Sequence, residues 1–445
     1  MIRSWTSLMA AALVLMLTAA ACGGSSAGGG GGDTSGDGGE GGTTILRVFE
    51  GIQETPRLEA EAEKAVEDFE AQNPDIDVQR ESVAVENQRT VIQTRLRSDQ
   101  PPDVFGYDTG PGFAGVLAKA DLLHPLEDAY KKFDWPIYDW AQQRVTYDGT
   151  LYGVPGSVEQ LGVYYNKGLF SDMGFEEPQS TDDLDAIANA VQDEGLTPFA
   201  FGDQEQWPAG HLFSMALSNI LGREGIDNIL YSGGKWNEPE VVEAIDLMFA
   251  QFTENGYYPD DVNAITYDDA NTLFYAGEAA MLPTGTWLIP DLDELVQDFE
   301  VGFFPFPSVD GSSVSPPGGV GGGLFVAGNT EVPEAAFRYL DYTMSKESVE
   351  RGIEVFNEIP AFQIDPAEYS VSPLFETVLD ELSEATNPDA YGYNLDVLTP
   401  ANFNTVMFEG FQEVLNGTRT PEEQADALQE AWAEAKAAGD TLEAP

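Results

Sequence analysis

Lysine and arginine are scarce in this chain. Its 445 residues carry 20 of them against 77 aspartates and glutamates, a formal net charge of −57 at pH 7. Charged residues make up an ordinary 22% of the total, so the anomaly is missing cations rather than surplus charge. Nucleic acid is thereby excluded as a partner, because phosphate neutralisation needs clustered Lys and Arg. Adhesion to an anionic membrane by charge alone is excluded for the same reason. Cysteine occurs once, at Cys22, so the chain can form neither an internal disulfide nor a cysteine-based zinc site. The two histidines, His124 and His211, lie far apart without metal-type spacing, and both are expected to be structural. No metal or cofactor is expected. There is no Gly-x-Ser-x-Gly elbow and no phosphate-binding Gly-x-x-x-x-Gly-Lys-Ser/Thr loop. Carboxylates are so abundant that no pair can be singled out as glycosidase acids.

What is present suffices for a folded protein. Hydrophobic residues make up 42% and aromatics 11%, enough for a real core. The length suggests two or three domain-sized units. With a core assured, the acidity reads as a surface adaptation, of the kind that keeps a protein soluble at high salt.

The N-terminus points to export. Arg3 is the only charge in the first 22 residues, and Leu8–Ala21 is broken only by Thr18 before ending in Ala19-Ala20-Ala21. That is a secretory signal pattern, too short for a comfortable membrane span. The stretch Leu17-Thr18-Ala19-Ala20-Ala21-Cys22-Gly23 resembles a bacterial lipoprotein cleavage site, with Ala19 where leucine is usual. The resemblance implies a lipid anchor on Cys22, while an incidental cysteine beside a simple signal is the plainer alternative. Twelve of residues 23–44 are glycine, which makes this segment a flexible tether reaching roughly 25 Å. Cleavage before Cys22 would remove Arg3 and leave a net charge of −58, 19 cations against 77 acids.

The body reads as α/β. Ile45–Phe49 is a short β-prone run, and Leu58, Ala62, Ala65, Val66 and Phe69 mark one face of a helix over 56–72, stopped by Asn73-Pro74. Ile76-Asp77-Val78 opens a second strand, and strand–helix–strand is the pattern of a parallel sheet. A helix is expected over 87–97 and a third strand over 103–107. Tyr107 and Asp108 stand where that strand runs into a loop, the side on which open α/β sheets meet ligands. An ordinary turn capped by Asp108 is the alternative. Further helices are expected over 181–192, 209–221, 239–254, 267–275, 334–344, 348–356, 407–415 and 421–438. The Pro- and Gly-rich segment 303–323 reads as loop and linker. No repeat at a fixed period is evident.

Several motifs follow one another in order: Pro102-Asp103-Val104-Phe105, Asp148-Gly149-Thr150-Leu151-Tyr152-Gly153-Val154-Pro155, and Tyr164-Tyr165-Asn166-Lys167-Gly168-Leu169-Phe170. Then come Phe274-Tyr275-Ala276-Gly277-Glu278-Ala279-Ala280-Met281, Gly285-Thr286-Trp287 and Met344-Ser345-Lys346-Glu347. In this order, over about residues 45–435, the chain resembles the extracellular sugar-type solute-binding proteins of ABC import systems, the family of maltose-binding protein. The resemblance implies a two-lobe periplasmic-binding-protein-like α/β fold whose lobes close on a ligand by hinge motion. By motif order the first lobe would take 44–155 plus 319–358, and the second 156–318 plus 359–445. It further implies a monomer that is no enzyme, anchored through lipid to the outer face of the cytoplasmic membrane and handing its ligand to ABC permease subunits.

A sugar presents hydroxyls and weakly apolar ring faces, so its site needs oriented carboxylates, amides and flat aromatics rather than net positive charge. Glu159, seven residues before Asn166, matches a sugar-binding glutamate of the family. Trp287 matches a family aromatic that stacks on sugar. A solvated loop acid and a core tryptophan are the respective alternatives. Trp207, at a loop-to-helix junction, is a second stacking candidate. Gly318–Gly323 would let backbone approach a ligand, and Phe356-Asn357 lies near an expected crossover. Gln53 and Glu54 are weaker candidates. Trp135, Trp140, Trp236 and Trp432 are expected to be structural. Two other readings stay open: the same fold holding a compatible solute or polyamine, and a secreted carbohydrate-active enzyme.

Overall fold

The computed structural model describes residues 42–53, 55–309, 315–383 and 391–441. The signal sequence, Cys22, nearly all of the glycine tether and Glu54 lie outside the described residues. Thr43 onward clusters as one unit, built on two sheets.

The first sheet grows from the N-terminal strand Thr44–Gly51, where Leu46, Val48 and Phe49 are buried. It pairs in parallel with Ile76–Val83 on one side and Val104–Asp108 on the other. The intervening helix Pro56–Gln72 starts where expected, because Thr55 Oγ1 accepts from the Leu58 N–H and proline fills the first turn. Its Phe69 is fully buried edge-on against Tyr339 and Tyr342, at 5.1 and 5.5 Å between ring centroids. That contact brings the much later helix Pro333–Thr343 back onto this body. Burial of such a ring is worth roughly 1.5–3 kcal/mol. Strand Gly322–Val326 adds antiparallel to Val104–Asp108, and Gly153–Pro155 closes the far edge.

The second sheet is organised around the long strand Ser157–Asn166. Antiparallel to it run Ala279–Gly285, Val301–Phe304, Pro317–Val320 and Ile359–Pro360. Thr197–Phe199 and Gly392–Tyr393 complete it in parallel with Ala279–Gly285 and Pro317–Val320. Helix Trp207–Asp227 buries Pro208–Asn219 continuously under this sheet and kinks at Gly222. Its Phe213 meets Trp236 and Phe411, and Phe249, Phe403 and Trp432 extend that aromatic cluster.

Chain passes between the sheets at single residues. Gly156 separates Gly153–Pro155 from Ser157–Asn166, and Gly321 separates Pro317–Val320 from Gly322–Val326. The two passes touch, since the Gly156 N–H donates to Gly322 O at 3.0 Å. A third pass follows helix Lys346–Phe356, which ends in left-handed Asn357 (φ 54°) before Ile359 joins the second sheet. This is a two-lobe α/β architecture. Among the described residues no helix is long and apolar enough to cross a membrane.

Segment 303–323, expected to be loop and linker, contains strand instead. Pro317–Val320 and Gly322–Val326 are inserted in both sheets. The glycines are what let them in: a Cβ on Gly318 would sit 2.6 Å from Glu159 O, so only glycine allows that backbone approach. Helix 209–221 extends to Trp207–Asp227, and the last long helix but one begins at Ala401 rather than 407.

Candidate functional site

Where the two glycine passes meet, a narrow cavity of about 10 Å³ opens, with Glu159, Gln160 and Leu161 on one side and Gly318–Gly321 on another. Trp287, Asn394 and Val397 complete its wall. Glu159, Gln160 and Leu161 are consecutive residues of strand Ser157–Asn166, and all three border the cavity. Glu159 is half-buried in a strand, so the alternative of a solvated loop acid is set aside. A Cβ on Gly321 would come within 2.6 Å of its Oε2. Burial, with the negative charge of Asp108 nearby, pushes the Glu159 carboxyl up to about 8.

Two buried amides face this space with unmet hydrogen-bonding capacity. Gln160 is 1% exposed, and neither side-chain polar atom has a partner among the described residues. Asn394 Oδ1 is likewise without one, while its Nδ2 lies 3.5 Å from His211 Nε2. Unpaired buried amides are costly, and such groups are rare enough to need an explanation.

The aromatic wall comes from the second lobe. Trp287 lies flat on Gly285, where any Cβ would overlap its ring, and its Nε1 donates to Tyr267 Oη at 3.1 Å. Tyr267 Oη lies 2.8 Å from Thr284 Oγ1, which fixes the indole's angle. Trp207 stands 4.6 Å from the Tyr267 ring and 6.5 Å from that of Trp287. His211 is wedged between the two tryptophans, 5.0 and 5.2 Å from their centroids. Its Nε2 is 3.5 Å from Asp396 Oδ2. Burial alone would raise the Asp396 carboxyl, but His211 beside it and Arg89 farther off hold it below its usual value. Behind Trp207 and Tyr267 a second narrow cavity of about 10 Å³ reaches Asn271 and Thr284.

The first lobe supplies a cation. Arg89 grips Asp108 through Nε and Nη2 at 2.7 and 2.8 Å. Its guanidinium lies 5.5 Å from the centroids of both Phe113 and Trp207. Asp108 is thus committed to an ion pair rather than to a turn cap. Tyr107 meets Phe113 edge-on at 6.1 Å, and burial pushes its hydroxyl up to about 12.

Of the residues named from sequence, the structure places Glu159 and Trp287 on one cavity and Trp207 on its neighbour. Asp108 and Tyr107 flank them through Arg89 and line neither cavity; Phe356, at the end of Lys346–Phe356, also lines neither. Arg89, Gln160, Tyr267, Asn394 and Asp396 were not singled out from the sequence, and His211 was expected to be structural. Only Gln160 had a signal, its place beside Glu159.

A family model described as bacterial extracellular solute-binding protein matches residues 64–372. An uncharacterised ABC-transporter extracellular-binding protein of Pyrococcus horikoshii is 28% identical over 334 residues, 71% of each chain. The multiple sugar-binding protein of Streptococcus mutans is 24% identical over 319 residues, 67% of this chain and 71% of that one. Among solved structures, a chitin oligosaccharide binding protein superposes with TM-score 0.78 at 23% identity, covering 89% of this chain and 99% of its own.

Proposed function

The chain belongs to the bacterial extracellular solute-binding protein family, and from that premise we propose that it captures a sugar or oligosaccharide between its lobes and delivers it to an ABC import permease. The observation that carries this reading is the pairing of unsatisfied buried amides with an aromatic wall. Gln160 offers a donor and an acceptor, Asn394 an acceptor, and Glu159 a carboxyl, all beside Trp287. A molecule rich in hydroxyls, each donor and acceptor at once, satisfies that set, and a sugar's C–H face suits the indole. The binding relatives lend the same direction.

The lobes in this reading are 44–155 plus 319–358 and 156–318 plus 359–445, closing about the glycine passes. The protein acts as a monomer and catalyses nothing. Cys22 carries lipid, and the glycine tether holds the body at the outer face of the cytoplasmic membrane. A compatible solute or polyamine is the competing ligand class, since Glu159, Asp108 and Asp396 gather in the cleft. Arg89 weighs against it, because a guanidinium already covers a face of Trp207.

Calorimetric titration of the purified protein decides between them. Maltotriose, raffinose and chitin oligosaccharides form one arm, glycine betaine and spermidine the other. Saturable binding in the first arm supports the proposal. Silence there with binding in the second replaces it.

A further inference from the structure

The lobes also press together beside the Gly321 pass, where two turns meet; Thr109, which opens the first turn, donates its N–H to Gly321 O at 2.8 Å. On the first lobe, Thr109–Gly112 follows strand Val104–Asp108. Gly110 is held by its N–H donating to Tyr147 Oη at 2.9 Å and by its carbonyl accepting from the Gly115 N–H at 2.9 Å. On the second lobe, the turn before helix Ala401–Leu415 is buried and internally bonded. Asn404 Nδ2 donates to Asp396 O at 2.7 Å, and Thr399 Oγ1 donates to Leu395 O at 2.8 Å and also bonds Asn404 Oδ1.

Between these two rigid turns there is no room for a side chain. A Cβ on Gly112 would lie 2.7 Å from Thr399 O and 2.8 Å from Asn404 Nδ2, and one on Gly110 would overlap Val397 O. The two glycines differ in a useful way. Gly110 has φ +90°, so alanine is strained there whatever the lobes do. Gly112 has no such backbone demand. What forbids a side chain at 112 is the other lobe alone. Arg144 adds a hydrogen bond that crosses here, Nη2 donating to Val397 O at 3.3 Å.

We propose that this turn-to-turn contact is the seal formed when the lobes close on ligand, and that Gly112 is a positioning residue needed only in the closed state. The inference rests on the reading of the chain as a binding protein that closes on its ligand. Val397 belongs to both the seal and the cavity wall, so ligand capture and sealing share one segment. A methyl at 112 then acts as a wedge: the separate lobes fold, yet cannot meet.

The test compares wild type, Gly112→Ala and Arg144→Met in the otherwise unchanged chain. It uses titration and small-angle scattering with whichever of maltotriose, raffinose or chitin oligosaccharide the wild type binds. The expected result for Gly112→Ala is an unchanged ligand-free melting midpoint, affinity reduced tenfold or more, and loss of the ligand-induced contraction. Arg144→Met, which loosens the seal without wedging it, should weaken binding about threefold with contraction retained; it decides the matter if Gly112→Ala does not fold. Wild-type affinity and contraction in Gly112→Ala would overturn the seal and leave the binding reading standing, as would wild-type affinity in Arg144→Met should Gly112→Ala not fold. Wild-type silence toward all three saccharides would overturn the binding reading, and the seal with it.

Discussion

Arg89 of the first lobe lies over the ring of Trp207 of the second, 5.5 Å from its centroid, while holding Asp108 of its own lobe by two hydrogen bonds. In a chain so poor in cations, this one joins the lobes across the cleft. Removing it strands a carboxylate whose side chain is only 18% exposed. Arg89→Ala should therefore destabilise the fold by about 1–3 kcal/mol, less than the 3–5 kcal/mol for breaking a fully buried pair. Asp108→Ala in the same background should recover part of that loss. Denaturant unfolding of the single and double variants measures the coupling, and strict additivity would show the pair to be idle.

Trp287 sets the aromatic wall of the cavity and is itself fixed by Tyr267 and Gly285. Trp287→Ala should weaken saccharide binding by about 1–3 kcal/mol, as for an aromatic anchor, with the fold intact by circular dichroism. Trp287→Phe keeps a flat face and should restore part of the affinity. An unchanged dissociation constant in the alanine variant would remove Trp287 from the site.

Glu159 links stability to pH in an unusual direction. Burial, then Asp108, push its carboxyl up to about 8 from an ordinary 4.5. Between those values the native state holds a proton that the unfolded chain has released, so this group's contribution to stability falls as pH rises. Glu159→Gln abolishes the titration. Its stability relative to wild type should therefore climb from pH 5 to pH 8 in chemical denaturation. Parallel pH profiles for the two proteins would show that Glu159 titrates normally.

Cys22 carries the anchoring claim. Cys22→Ser should move the protein from the membrane fraction to the medium of the producing bacterium, with saccharide affinity unchanged. Equal membrane retention of the variant would show that the tether is held by something other than lipid.

The elements that could be read from sequence are those with punctuation and enough turns. Helix Pro421–Ala438 has a Thr420/Glu423 capping box at one end and left-handed Gly439 at the other, and Pro56–Gln72 has Thr55 and Asn73. Short helices such as Ala114–Lys119 and Asp139–Gln143 went unread, because five or six residues are too few to show a helical period. Pro317–Val320 escaped because glycine shows no alternation, and its ladder is purely backbone. The site divides the same way. Glu159 and Trp287 sit in recognisable motifs, whereas Asn394 and Asp396 come from the unremarked run Tyr391–Asp396. His211 meets Asp396 only because helix Trp207–Asp227 packs under the second sheet beside that run.

A crystal structure of the protein with a bound saccharide tests the central claim most directly. Sugar hydroxyls are expected within hydrogen-bond distance of the Glu159 carboxyl and the Gln160 and Asn394 amides, with a ring face against Trp287. A saccharide seated elsewhere, with Gln160 and Asn394 untouched, would contradict it.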